Sequence, residues 1–121
     1  MYKFEWEPQG AYWKYYGDVS GREIIEASKI IYGDPRFDDL KYKLVDFLAV
    51  TSIQMDKDEV VEIAAQHKAA AISNPHIKTA IVTKESNSEL AISFASFLKD
   101  SSWEVKIFQN LDQARNWVGK I

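Results

Sequence analysis

Cysteine is absent from the 121 residues. That excludes disulfide staples, thiolate nucleophiles and cysteine-ligated zinc together, and it fits a reducing compartment. Histidine is almost as scarce. His67 and His76 stand alone, so histidine-based metal centres and nucleophile–base pairs have little to draw on. The five glycines are scattered and never form the Gly-rich strand-to-helix loop that cradles phosphate. Charge of one sign is missing too: the net charge is −3, with acids and bases interspersed. That balance leaves neither a nucleic-acid footprint nor a polybasic membrane patch. No apolar run nears the roughly 20 residues that span a bilayer. The opening Met1-Tyr2-Lys3-Phe4-Glu5-Trp6-Glu7 alternates instead of forming the apolar centre of a signal peptide. These absences lead to the expectation of a soluble, cytoplasmic protein without metal or cofactor.

What is present suits one domain over residues 1–121. Hydrophobic residues make up 46% and charged residues 27%, and four Trp, six Tyr and six Phe supply a well-filled core. Tyr2, Phe4 and Trp6 alternate with Lys3, Glu5 and Glu7, the period of a half-buried strand. Pro8-Gln9-Gly10 forms a turn, and Ala11 to Gly17 returns as the second strand of a hairpin. Four helix starts follow, each a side-chain acceptor with Glu or Gln three residues later: Ser20 with Glu23, Asp56 with Glu59, Ser86 with Glu89, and Asn110 with Gln113. Apolar stripes at helical spacing come after each. Asn74-Pro75 ends the second helix, because proline disfavours helical geometry in the residue before it.

Three further strands lie between the helices, near Lys41 to Ala49, Ile77 to Thr83 and Trp103 to Phe108. Strand–helix–strand alternation at this spacing implies parallel neighbours with right-handed crossovers. The expected fold is therefore α/β, with a mixed five-stranded sheet and four helices. Strands buried on both faces read as continuous apolar runs. Here Glu104 and Lys106 alternate with Trp103, Val105 and Ile107, while Lys43 and Lys78 interrupt the other two strands. This pattern predicts helices chiefly on one face and a partly wet second face.

Catalytic groups are sparse. His67 lies on the inner stripe of the second helix and reads as a hydrogen-bonded helix residue; His76 reads as a turn residue. Asp46, inside Leu44-Val45-Asp46-Phe47-Leu48, has to be satisfied by neighbouring donors. A polar rim of Thr51, Ser52, Thr83, Ser86, Asn87 and Asn110 is expected at the C-terminal edge of the parallel strands. Helix N-termini gather there in α/β folds and can hold a small anion. No acid–base pair of plausible geometry emerges, so an enzyme is not expected.

Three stretches resemble a known family. They are Tyr16-Gly17-Asp18-Val19-Ser20-Gly21-Arg22-Glu23, then Asp34-Pro35-Arg36-Phe37-Asp38-Asp39-Leu40 leading into Leu44-Val45-Asp46-Phe47, and finally Phe108-Gln109-Asn110-Leu111-Asp112-Gln113-Ala114-Arg115-Asn116-Trp117-Val118. In this order and spacing they resemble the small bacterial SpoIIAA-like proteins, relatives of the STAS domain. The resemblance implies sequential strand order and a regulatory or protein-interaction module. In the anti-sigma-factor antagonists an Asp-Ser-Ser-Gly motif at the start of the helix after the third strand carries the phosphorylated serine. Asp56-Lys57-Asp58-Glu59 stands there instead. Asp56, Lys57 and Asp58 become a regulatory loop without the phosphoacceptor.

The same fold group includes CRAL-TRIO lipid-transfer domains. This implies an alternative: a binder or carrier of a small apolar or lipid-like ligand with reversible, peripheral membrane association. Ile72, Ile92, Phe94, Phe97 and Leu98 are the residues expected to meet such a ligand or a membrane. Phe94, Phe97 and Ile72 are expected to line a cavity between helices and sheet. The half-wet sheet face and the aromatics also permit a homodimer.

Overall fold

The computed structural model describes residues 1–84, 92–93, 96 and 101–119. Strand β1 (Tyr2–Glu7) pairs antiparallel with β2 (Gly10–Ser20), with Tyr2 opposite Tyr15 and Phe4 opposite Trp13. Then come α1 (Gly21–Ser28), two short 3-10 turns (Lys29–Ile31 and Pro35–Asp39), β3 (Tyr42–Gln54) and α2 (Lys57–Ser73). The remaining described elements are β4 (Lys78–Val82), β5 (Glu104–Phe108) and α3 (Leu111–Val118). Strand order is sequential, and every pairing after the hairpin is parallel. The five-stranded mixed sheet is as expected. Three α-helices stand among the described residues; the helix expected from the Ser86–Glu89 box falls mostly outside them.

The helix starts form as their sequences suggest. Ser20 and Asn110 each accept from the backbone N–H three residues on, at 3.1 Å. Asp56 and Glu59 make the full reciprocal box, at 2.8 and 3.1 Å. Each bond satisfies a donor that a helix N-terminus otherwise leaves open. Asn74 ends α2, and its amide donates to the carbonyls of Phe37 and Leu40, tying the helix end to the second 3-10 turn.

Two strands run longer than expected. β2 continues to Ser20 and β3 to Gln54 because the pair absorbs two register shifts, after Lys14 and after Gly17. Gly17 has φ of +68°, a left-handed conformation that glycine adopts at bulges without a Cβ penalty.

Helix coverage differs from the one-sided arrangement expected. The helices α1 and α2 cover one face of the sheet, above Trp13, Tyr15 and Lys43. On the opposite face α3 packs closely on β3, β4 and β5, burying Leu44, Ala80 and Val82 beneath Ala114 and Val118. The inference failed on its lysines. Lys43 is not a solvent-facing residue: only 1% of it is exposed, and it points to the α1/α2 side. Lys78 lies half-buried on the α3 side, its ammonium 5.2 Å from the centre of the Trp117 ring. Lysine stems cover apolar surface while their heads find polar or aromatic partners, so a strand lysine does not by itself mark a wet face.

Candidate functional site

A cavity of about 90 Å³ lies between the sheet and the α1/α2 layer. Three strands build its floor through residues of one parity: Trp13 and Tyr15 from β2, Val45 and Phe47 from β3, Ile81 from β4. Ile24 of α1 and Val60 and Ile63 of α2 form the roof. Strand alternation dictates this, since side chains two apart share a face. Half-buried Ile53 and Met55 line the cavity near the C-terminal edge of the strands. The walls are overwhelmingly apolar.

Polar groups interrupt that lining at few places, and the most unusual is Lys43. Burial lowers its amine from the ordinary 10.5 to about 7. It hydrogen-bonds to Nε2 of His67 on α2. His67 Nδ1 lies 2.8 Å from the Ile63 carbonyl, which can only accept, so Nδ1 carries the proton and Nε2 accepts from Lys43. Burial, with the neighbouring Lys43 charge, holds the imidazole well below its ordinary range, so His67 is neutral. The amine also sits near two indole rings, 5.3 Å from the centre of Trp13 and 5.2 Å from that of Trp103. Both indoles are fixed: Trp13 donates to the Ala27 carbonyl at 2.9 Å and Trp103 to the Asn74 carbonyl at 2.6 Å. Among the described lining residues there is no Asp or Glu to pair with Lys43.

Thr79 adds a second group. It is the register partner of Lys43 on β4, is buried, and lines the same cavity. Its hydroxyl has no hydrogen-bond partner among the described residues. A buried hydroxyl in that state is uncommon and costs about 1–3 kcal/mol.

The residues expected to form a rim serve separate purposes. Thr51 and Ser52 belong to the extended β3 and both donate to Asp18, at 3.0 and 2.7 Å. Thr83 is buried, lines the cavity and donates to the Lys84 carbonyl at 3.3 Å. Asn110 caps α3. Ser86 and Asn87 lie outside the described residues. Asp56 is engaged in the capping box, and Lys57 and Asp58 are exposed in the first turn of α2. Ile72 is 86% exposed and lines no part of this cavity, and Ile92 is exposed. Phe94, Phe97 and Leu98 lie outside the described residues. Among the described residues no group of three or more His, Asp or Glu side chains is placed to hold a metal ion, and no helix is long and apolar enough to cross a membrane.

Sequence reasoning placed His67 on the inner stripe but missed Lys43 and Thr79. The signal was available: Lys43 shares strand parity with Val45 and Phe47, which face inward.

Asp46 faces the other way and is fully provided for. Tyr12 donates to Oδ2 and the Leu48 N–H to Oδ1, both at 2.9 Å. Burial and the adjacent carboxylate push the Tyr12 hydroxyl above its usual range, so it stays a donor. Nearby, Arg115 makes a two-pronged bond to Glu7 at 3.1 and 3.0 Å, and Tyr42 donates to the same carboxylate. The Arg115 bond holds the Glu7 carboxyl below the usual carboxylate range.

No family model matches the chain. No curated protein matches it either. Among solved structures it is similar to an uncharacterised protein of the DUF3478 family, with a SpoIIAA-like fold, from Shewanella loihica. The two share 13% identity with a TM-score of 0.59, covering 98% of this chain and 92% of the other. The chain has a SpoIIAA-like fold.

Proposed function

We propose that this chain is a non-enzymatic binding module whose ligand is a small, largely apolar molecule held between the sheet and the α1/α2 layer. The observation that carries this reading is the cavity itself, with apolar walls and its polar groups concentrated around Lys43 and Thr79. Small-molecule sites share that composition: apolar surface for affinity, few polar groups for orientation. Catalysis is not part of the reading. His67 is neutral, with its proton committed to a backbone carbonyl, and no carboxylic acid among the described lining residues stands by to move protons.

Hexanol is a suitable probe, and Trp13 in the wall is a reporter. Saturable change in tryptophan emission on titration is expected. It should be lost in Ile63→Trp, whose added bulk fills the roof. A linear, non-saturating response in the wild-type chain removes the reading.

One further observation favours the protein-interaction role that the fold suggests. An open groove of about 780 Å³ runs between the 3-10 turns and α2, lined by Tyr32, Pro35, Phe37 and Ala70. The buried Tyr32 hydroxyl there has no partner among the described residues. Ala70→Arg should weaken any self-association seen by sedimentation; association unchanged by that substitution argues against this groove as the interface.

A further inference from the structure

Two donors in the cavity wall have unmet capacity among the described residues. A protonated Lys43 presents three N–H groups, of which His67 Nε2 takes one. The indole faces of Trp13 and Trp103 attract the cation but accept no strong hydrogen bond. Thr79 presents an O–H without a partner among the described residues. These groups project from adjacent positions of neighbouring parallel strands onto the same face. An ammonium and a hydroxyl side by side, surrounded by apolar wall, match a group with two acceptor oxygens and one negative charge.

We infer that the ligand is a carboxylic acid with a short apolar chain, its carboxylate bound by Lys43 and Thr79 and its chain lying along Val45, Ile63 and Ile81. This inference rests on the binding-module reading above and names the chemistry of its ligand. A carboxylate entering the site supplies the counter-ion that Lys43 lacks among the described lining residues. It also supplies an acceptor for Thr79, so one ligand group satisfies two buried groups whose pairing is incomplete among the described residues. Size limits the chain. An apolar cavity of about 150 Å³ holds benzene, and this one, at about 90 Å³, takes the head and a few carbons. The remainder passes between Phe47, Ile53 and Met55, which are half-buried.

Imine formation with an aldehyde is the competing use of a buried amine. It fits less well. Loss of water from the carbinolamine needs a proton donor, and the neutral His67 has its N–H bound to the Ile63 carbonyl. Imine formation would also leave Thr79 unanswered.

The test compares hexanoate with hexanol by calorimetry and tryptophan emission, on the wild-type chain and on Lys43→Met. Hexanoate should bind the wild type roughly tenfold to a hundredfold more tightly than hexanol. Lys43→Met should reverse that order. Thr79→Val, which leaves the amine in place, should weaken hexanoate roughly threefold to tenfold and hexanol by less. Equal or tighter binding of hexanol to the wild type overturns the acid head and leaves the apolar-ligand reading standing. Failure of both probes overturns both. Hexanal captured on Lys43 by borohydride, without hexanoate binding, overturns the acid in favour of an imine.

Discussion

The two faces of the sheet solve the same problem in opposite ways. Under α3, the buried carboxylate Asp46 has two donors at 2.9 Å, and Leu44, Ala80 and Val82 pack directly against the helix. Under α1 and α2, a buried lysine has one neutral acceptor and a threonine hydroxyl has none among the described residues, beside a cavity. Both faces bury an ionisable residue in the first half of β3, at Asp46 and Lys43. Among the described residues only the α3 face completes the polar partnership. A buried polar group left unmet is destabilising unless something else meets it. Among the described residues the α1/α2 face is therefore the less completely paired of the two, and the α3 face the more tightly built.

Packing offers the largest contrast. Leu44→Ala on the α3 face should destabilise the chain by about 3 kcal/mol, since α3 is held close and cannot collapse into the void. Val45→Ala, one residue away on the cavity face, should cost about 1 kcal/mol. It enlarges a space already present and removes less buried surface. Urea denaturation of both variants measures this. Equal losses would show that the two faces are packed alike.

Lys43→Met comes next and has the opposite sign. Removing an incompletely paired buried cation should stabilise the ligand-free chain by roughly 2 kcal/mol near pH 6, less the donor lost to His67. The pH dependence follows from burial. The amine is at about 7 in the folded chain and near its ordinary 10.5 when unfolded. Between those values the unfolded chain holds more protons, so wild-type stability rises with pH across the window. His67 is also lowered on folding, which extends the rise toward acid pH. Tyr15, which also lines the cavity, is raised by burial, as is Tyr32. Each contributes stability that is lost above about pH 10. In Lys43→Met the rise between pH 7 and about 10 should flatten, and the gain over wild type should shrink toward the alkaline end. Thermal melts at a series of pH values test this; parallel curves for the two proteins would contradict a buried, proton-shedding lysine.

The smallest effect belongs to the polar network of the α3 face. Tyr12→Phe keeps the ring and removes the donor to Asp46, and should cost about 1 kcal/mol. A larger loss would mean that the α3 face depends on its polar bonds as much as on its packing.

Much of this arrangement was legible in local residues. The alternation of Tyr2, Phe4 and Trp6 defined the hairpin. The acceptors Ser20, Asp56 and Asn110 marked three helix starts, because a cap is a bond between residues three apart and needs no tertiary partner. Asp46 was recognised as a residue needing donors, although Tyr12, 34 positions away, was not identifiable as one of them. The lysines misled. As interruptions of apolar strands Lys43 and Lys78 point to a wet surface, yet Lys43 is among the most buried residues and Lys78 lies along Trp117. Composition shows that a strand carries a lysine; it does not show whether an indole or an imidazole from elsewhere is placed to receive it.

The sequence by itself determined the α/β class, the strand order suggested by the SpoIIAA resemblance, and the scarcity of thiol and histidine chemistry, all properties set by composition or by contacts within a few residues. Only the tertiary structure decided that α3 lies across the sheet from α1 and α2, and that Lys43, His67 and Thr79 meet at one cavity. Those outcomes depend on long-range packing. Lys43 and His67 are 24 positions apart, on a strand and a helix whose periodicities say which way each side chain points but not what waits on the other side.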